Sequence, residues 1–462
     1  MRFKKRYKVL MAALVLALVA LLGTSFSGCG DEDDQVVVLR IANCEEYIDE
    51  GDWDEDEAIE LEDATILGEN SLIDDFEDWY YETYGIRVEV QYSTYGTNEE
   101  LYNQMSLGNV FDLVCPSEYM IMKLMEEDRL QPLSEDFFDT TDENNYYIKG
   151  VSPYIQDMYQ ELKYGDETIS TYAAGYMWGT MGIVYNPEVL SEEDVSHWSM
   201  LLDSDYYKRI TMKDGVRDSF IVAQCIANEE LVMSTEFLED ENYYDTLTAI
   251  LNDTSQEAVD RAEEILTQMR KNAYSLETDS GKADMITGKV IANMQWSGDA
   301  VYTMDQAEED DYILSYSVPE ECTNLWFDAW VMMKNGIAED SRKQAAAEAF
   351  MNYISMPENA VRNMYYIGYT SAISGGDSDL IKEYIQYCYG AEEGDETADY
   401  DLSYFFGEDY SIETPVEQTT RQLYAQYPTE DVINRAVVMS CFDSEANDRI
   451  MTMWTNIRCW SW

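Results

Sequence analysis

Three short stretches of the chain end an apolar run with an aromatic residue and a small polar or acidic one. Glu45 and Tyr47 follow the run at 36–39, Ser93 and Tyr95 follow 86–90, and Ser117 and Tyr119 follow 111–115. Hydroxyl and carboxylate oxygens accept the protons of an ammonium, and aromatic faces attract its charge. These residue types in this pattern suit capture of a cation. Bond-breaking chemistry has thinner support. His197 is the single histidine and lies in Ser196-His197-Trp198, while G-x-S-x-G, H-E-x-x-H and glycine-rich phosphate loops are all missing. Paired carboxylates alone remain as a route to catalysis, of the kind that hydrolyses cell-wall glycans.

Charge narrows the choice further. The 462 residues hold 93 Asp and Glu against 29 Lys and Arg, a formal net charge of −64. Nucleic acid is excluded as a partner, because phosphate contacts need a basic face. Disorder is excluded too, since 46% of the residues are apolar. The length calls for two or three domains rather than one core. Salt screens exposed charge over about 8–10 Å, so most of the excess is a solvated surface, and a functional role belongs to carboxylates in a cleft.

The elements that must hold these groups alternate along the chain. Residues 36–39 read as a buried strand. Leu72, Phe76, Trp79, Tyr80 and Tyr84 recur at helical spacing up to Gly85, and Ile86, Val88 and Val90 alternate as a strand. A helix over 98–107 and a strand over 111–115 follow. Strand, helix, strand, helix, strand is a doubly wound α/β layer, which binds ligands beyond the carboxyl ends of its strands. A second α/β region has strands at 209–212, 290–294 and 313–318 and helices at 217–228 and 256–271. The last third predicts helices at 341–354, 379–388, 430–439 and 445–457. Residues 48–63 are an acidic insertion, read as a solvated surface loop; they lack the Asp/Asn spacing and central glycine of an EF-hand.

The N-terminus sets the compartment. Arg2, Lys4, Lys5, Arg6 and Lys8 precede an apolar run over 9–22 and then Phe26-Ser27-Gly28-Cys29. Such a run is short for a bilayer span of about 20 residues and fits a signal peptide. Its end resembles a bacterial lipobox, in which Cys29 takes a diacylglyceryl group and becomes the first mature residue. Removal of 1–28 deletes five basic and no acidic residues and leaves a charge of −69. The seven remaining cysteines, Cys44, Cys115, Cys225, Cys322, Cys388, Cys441 and Cys459, contain no C-x-x-C and form neither a zinc site nor a disulfide framework; most read as small apolar fillers or free thiols, and one or two disulfides stay open.

An ordered series of segments resembles the spermidine/putrescine-binding (PotD-type) family of extracytoplasmic solute-binding proteins of ABC transporters. The series comprises "IANCEEYI" (41–48), "YSTYGTNEELY" (92–102), "FDLVCPSEYM" (111–120), "YMWG" (176–179) running on to "VYN" (184–186), "MKDGVRDSF" (212–220), "WSG" (296–298), "WFD" (326–328) and "IGY" (367–369). The resemblance implies a two-lobed periplasmic-binding-protein-like α/β fold of type II. Each lobe is a doubly wound sheet, and crossover hinge strands join them. Signal peptide 1–28 and tether 29–35 precede lobe one, expected at 36–178 plus 328–378; lobe two is expected at 179–327 plus 379–462.

Cleft residues carried over by motif position are Tyr47, Ser117 and Tyr119, then Asp214 and Asp218, then Trp296, Trp326, Asp328 and Tyr369. The implied protein is not an enzyme and needs no cofactor or metal. It is a monomer, lipid-anchored on the outer face of the bacterial cell membrane, that passes a polyamine to an ABC permease. Cys44 stands where the family has a tryptophan, Gly215 where it often has an acidic residue, and no polar match is found at 437–439. Putrescine and spermidine both remain open.

Polyamine chemistry agrees with this set. An ammonium is costly to desolvate unless carboxylates or other acceptors receive it, and flat rings suit its methylenes. Asp218 and Asp328 are placed to take one terminal amine each. Alternatives on the same fold are another organic cation or ferric ion, since ferric-binding relatives use adjacent tyrosines such as Tyr146-Tyr147, Tyr243-Tyr244 and Tyr365-Tyr366. An exported cell-wall hydrolase is the remaining alternative.

Overall fold

The structure is a computed structural model and describes residues 36–278 and 280–459. The signal segment, Cys29 and the tether lie outside the described residues. Lobe one opens with β1 (Val37–Cys44), α1 (Leu72–Tyr84), β2 (Val88–Tyr95), α2 (Asn98–Ser106), β3 (Leu113–Val114) and α3 (Glu118–Glu126). β1 is parallel to β2, from Val37 opposite Val88 to Cys44 opposite Tyr95, and parallel to β3 at Ile41 opposite Leu113. Local chemistry sets the helix starts. Ser71 and Thr97 each accept the backbone N–H three residues on, which supplies one of the donors a helix start leaves unpaired.

The chain then runs through β4 (Ala173–Tyr185), β5 (Ile210–Lys213), α4 (Val216–Val232), α5 (Gln256–Asn272), β6 (Ser275–Glu277), β7 (Ala292–Trp296), α6 (Ser297–Glu308) and β8 (Thr323–Met333). Helices α7 (Ser341–Ile354) and α8 (Pro357–Ile367) return to lobe one. A short β9 (Ala436–Val438) and α9 (Ser444–Cys459) close the described chain. Hydrogen-bonded neighbours run in the order β6-β5-β7-β4-β8-β3-β1-β2, so the sheets of the two lobes share one path.

Its centre is the antiparallel pair β4 and β8, in which every residue is buried. Both strands cross between cores. On β4, Trp178 belongs to the first apolar cluster and Met181 to the second; Cys322, just before β8, belongs to the second, and the apolar residues of β8 from Leu325 onward belong to the first. These are the crossover strands that the two-lobed fold requires. The ladder between them slips at Asp328 and Ala329, an irregularity of the kind that re-aims a side chain beside a site.

Three local expectations need correction. The segment 379–462, expected in lobe two, is divided: Leu380, Ile381, Tyr384, Phe405 and Tyr427 pack in the first cluster, and the second takes Val437, Met439 and the apolar face of α9. The helix expected over 430–439 is a single turn, Glu430–Ile433, followed by β9; Ala436, Val437 and Val438 pair with Thr323, Asn324 and Leu325 of β8. β-branched residues in a paired, buried strand prevail over the helical reading.

The acidic insertion is also not a plain solvated loop. Its Ile59–Glu60 pairs with Thr65–Ile66 just beyond it, and it buries Trp53 and Ile59. Buried Asp49 ties it to Arg362 of α8 and accepts the Trp53 indole N–H at 3.0 Å. The seven cysteines among the described residues are free thiols. No helix among the described residues is long and apolar enough to cross a membrane.

Candidate functional site

The ends of β1, β3, β5 and β7, the first half of β8 and the starts of α3, α4 and α6 meet around a cavity of about 450 Å³ between the two cores. All nine cleft residues expected from the sequence line it: Tyr47, Ser117, Tyr119, Asp214, Asp218, Trp296, Trp326, Asp328 and Tyr369. Ser93 and Tyr95 do not. The Ser93 hydroxyl bonds to the Ile41 carbonyl at 3.1 Å, and buried Tyr95 donates to the Cys115 carbonyl at 2.5 Å, so both serve the β1–β2–β3 layer. His197 also lies elsewhere, with Nδ1 3.2 Å from Glu321 Oε2.

Asp328 is the focus of the lobe-one side. Tyr47 donates its hydroxyl to Oδ2 at 2.7 Å and Ser117 donates to Oδ1 at 2.7 Å. Asn98 fixes Ser117 in turn, donating to its Oγ at 2.9 Å and accepting its backbone N–H at 3.2 Å. Burial pushes the Asp328 carboxyl up to about 6, with a further push from Asp218, against the pull of the two hydroxyls. No lysine or arginine among the described residues forms an ion pair with Asp328 or with Asp218, although Lys213 and Arg217 act on Asp218 from a greater distance.

Three aromatic rings close around this carboxylate. Tyr47 and Tyr369 meet edge to face at 4.9 Å, and Trp326 meets Tyr369 in the same way at 5.7 Å. Tyr369 lies flat on the α6 backbone: a Cβ on Gly298 would come within 2.2 Å of its ring, so only glycine admits the ring there. Asn324, Trp326 and Asp328 alternate along β8 and share its cavity face. The buried side-chain nitrogens of Asn324 and Trp326 have no hydrogen-bond partner among the described residues, nor has the Asn324 side-chain oxygen.

Across the cavity, Asp218 sits in the first turn of α4 and accepts the Trp296 indole N–H at 3.0 Å. Its carboxylate folds back over Gly215, where a Cβ would lie 2.0 Å from Oδ2. Burial raises its pKa, offset by Trp296 and Lys213. The neighbouring Asp214 is bound to Arg458 at 3.0 Å and sits at the rim. Tyr119 bonds to Glu99 at 3.1 Å and carries the Arg217 guanidinium 4.3 Å over its ring, so its face is already matched by a cation of the protein.

Asp299, in the first turn of α6, is answered from within the protein. Tyr369 donates to it at 3.0 Å, and Lys213 and Lys282 approach at 3.3 and 3.6 Å. Burial would raise its carboxyl, but the two lysines and the tyrosine outweigh burial and hold it below the usual range. Glu118 is buried against the Phe327 N–H at 2.9 Å; burial lifts it to about 8 and keeps it neutral at pH 7. Cys44, at the missing tryptophan position, lines the cavity as a neutral thiol, its pKa pushed up by burial and Asp328.

Asn324, Asp299, Lys213, Glu99 and Glu118 escaped the sequence reading. Strand alternation from Trp326 points to Asn324, and a lysine closing an apolar strand marks Lys213. Glu99 and Glu118 look like ordinary acidic first-turn residues, which their sequence context cannot distinguish from cavity groups.

Comparison with known proteins places these features in context. A family model of bacterial extracellular solute-binding proteins matches residues 71–386. The spermidine/putrescine-binding periplasmic protein of Salmonella typhimurium is 22% identical over 284 residues, 61% of this chain and 70% of that protein. The putrescine-binding periplasmic protein PotF of Escherichia coli is 24% identical over 295 residues, 62% of this chain and 71% of that one. Among solved structures, the spermidine/putrescine ABC transporter substrate-binding protein PotD of Streptococcus pneumoniae aligns with a TM-score of 0.58 at 24% identity, covering 91% of this chain and 98% of that one. The TpPotD lipoprotein of Treponema pallidum aligns with a TM-score of 0.59 at 16% identity, covering 91% and 99%. These structures share the two-lobed fold described above.

Proposed function

The chain belongs to the bacterial extracellular solute-binding proteins, and from that premise we propose that it captures a polyamine between its lobes and delivers it to an ABC permease. The observation that carries this reading is Asp328. A buried carboxylate held by two hydroxyls, walled by Tyr47, Trp326 and Tyr369 and in no ion pair among the described residues, is a receptor for an ammonium. Desolvating a bare carboxylate is costly, so an incoming cation recovers what the empty site lacks. Asp218, half-buried and held by the Trp296 indole N–H, provides a second carboxylate on the opposite lobe. The ligand bridges the two and draws the lobes together about β4 and β8.

The protein acts as a binding protein rather than an enzyme, as a monomer outside the cytoplasm. Cys29 carries the lipid, and two acyl chains give stable anchoring where one does not. Mass spectrometry of the membrane-bound protein then finds an acylated N-terminal cysteine; an unmodified chain starting at Met1 contradicts the anchor.

A thermal-shift panel of putrescine, spermidine, cadaverine, choline, amino acids and ferric iron tests the ligand class. At 100 times its Kd a ligand adds about 2.7 kcal/mol of stability. Stabilisation by the polyamines is expected. Stabilisation by choline or an amino acid alone, or a visible ferric-tyrosinate band on adding iron, overturns the reading.

A further inference from the structure

Lys213 ends β5 with a fully buried side chain that lines the cavity. Its ammonium donates to the Thr278 carbonyl at 2.7 Å and lies 3.3 Å from Asp299 Oδ2 and 3.5 Å from Glu277 Oε1. It also stands 4.0 Å over the Trp296 ring. Carboxylates, a carbonyl and an indole face are the surroundings a ligand amine would need. Here the protein's own amine has them. Lys282 adds charge to the same corner, 3.6 Å from Asp299 and 3.4 Å from Glu46.

We propose that Lys213 is a built-in occupant of a third amine position, and that it makes the cleft selective for a diamine over a triamine. The proposal rests on the polyamine reading above and deepens it. Among the cavity carboxylates, Glu45 and Glu50 are exposed, Glu99 is engaged by Tyr119 and Glu118 by the Phe327 N–H, which leaves buried Asp328 and half-buried Asp218, neither in an ion pair among the described residues, for the two ends of a diamine. A triamine brings a third ammonium. The carboxylate that would receive it, Asp299, is already neutralised, and the Trp296 face beside it is covered by like charge. Gly215 adds no acceptor there, because Asp218 fills the space its side chain would use. Space does not make the distinction, since about 450 Å³ admits either ligand. Charge does.

Lys213 also ties β5 to α6, and a merely structural tie predicts something different. Loosening it would weaken every ligand alike, whereas a selectivity residue changes the ratio between ligands. Calorimetry with putrescine and spermidine on wild type and Lys213→Met reads that ratio. Wild type is expected to bind putrescine at least tenfold tighter. Lys213→Met, which keeps an apolar stem and frees Asp299, is expected to gain spermidine affinity and shift the ratio at least tenfold.

Removing a buried charge can unfold the protein, so Lys213→Met/Glu277→Gln, which deletes one charge of each sign, serves as the second variant and is expected to shift the ratio the same way. A wild type that binds spermidine as tightly as putrescine overturns the proposal, as does an unchanged ratio in either folded variant. If wild type binds neither polyamine, the polyamine reading itself fails and the selectivity falls with it; an unchanged ratio with both bound removes only Lys213.

Discussion

Ser117 occupies the N-cap of α3, but its hydroxyl serves Asp328 instead of its own helix. Its Oγ donates to Asp328 Oδ1 at 2.7 Å, and the cap makes no side-chain bond to α3. A capping serine is worth about 1 kcal/mol to a helix. Here that hydroxyl is committed to a carboxylate 211 residues away, on a strand that crosses between the lobes. With Tyr47 on the other oxygen, Asp328 is oriented before any ligand arrives, so little ordering remains to oppose binding.

Asp328→Asn keeps this shape and removes the charge. Truncating one partner of a buried charged pair costs about 2–5 kcal/mol, or roughly 30- to several-thousand-fold in polyamine Kd. The ligand-free protein should respond in the opposite sense. The folded pKa is raised, so this carboxyl's contribution to stability is fully present below its unfolded value of 3.8 and is lost as pH rises through about 6. The interval corresponds to at most about 3 kcal/mol, which Asn no longer forfeits at pH 8. Calorimetry should show the lost affinity and thermal melting a raised Tm. Unchanged affinity would remove Asp328 from the site.

The same titration makes binding pH-dependent. With a pKa of about 6, Asp328 is mostly ionised at pH 7 and mostly protonated at pH 5. A cation needs the ionised form, so affinity should fall about tenfold between those values as binding comes to require release of a proton. Asp328→Asn should lose this component and show a shallower pH dependence, set by the remaining cavity carboxyls Asp218 and Glu118. Titrations in buffers of different ionisation enthalpy would reveal the proton released at pH 5; a wild-type affinity equal at pH 5 and 7 argues against an ionised Asp328 as the receptor.

Much of this arrangement was legible in the chain. Alternating apolar runs gave the layered lobes, and Trp326 and Asp328, two apart on a strand, share a face as period-two geometry demands. Other parts were not. That Ser93 and Tyr95 turn away from the cavity depends on Tyr95 reaching the Cys115 carbonyl on β3, a tertiary bond that no local pattern encodes. Segment 430–439 carries charges at a helical start, and only pairing with β8 makes its second half a strand. Lys213 reads as a strand-end lysine until Asp299, 86 residues later, is seen beside it. Local propensity is weak against such partners.

Gly215→Ala tests the lobe-two carboxylate without touching it. The backbone at Gly215, φ −113° and ψ 121°, suits any residue, so the effect is steric alone. A methyl group there would stand 2.0 Å from Asp218 Oδ2 and must push the carboxylate away from the Trp296 N–H. Polyamine affinity should fall at least tenfold while the melting temperature stays near that of wild type. If affinity is unchanged while the Trp296 fluorescence shifts, Asp218 has moved without consequence and is not a receptor.

Trp326 separates ring from charge. Its indole nitrogen is buried without a partner, and its ring meets Tyr369 at 5.7 Å beside Asp328. A ring over a cation is worth about 0.5–2 kcal/mol, or roughly 2- to 30-fold in Kd. Trp326→Ala should lose that much and also erode discrimination between putrescine and cadaverine, because the wall that measures the methylene chain is gone. Emptying a buried tryptophan site costs stability as well, about 3–5 kcal/mol, so Trp326→Phe is the necessary companion. It keeps a flat face, drops the unpartnered N–H and should hold affinity within about threefold while melting close to wild type. Should Trp326→Phe lose as much affinity as Trp326→Ala, the indole N–H rather than the ring face is what the ligand meets, and stacking is not how this wall works.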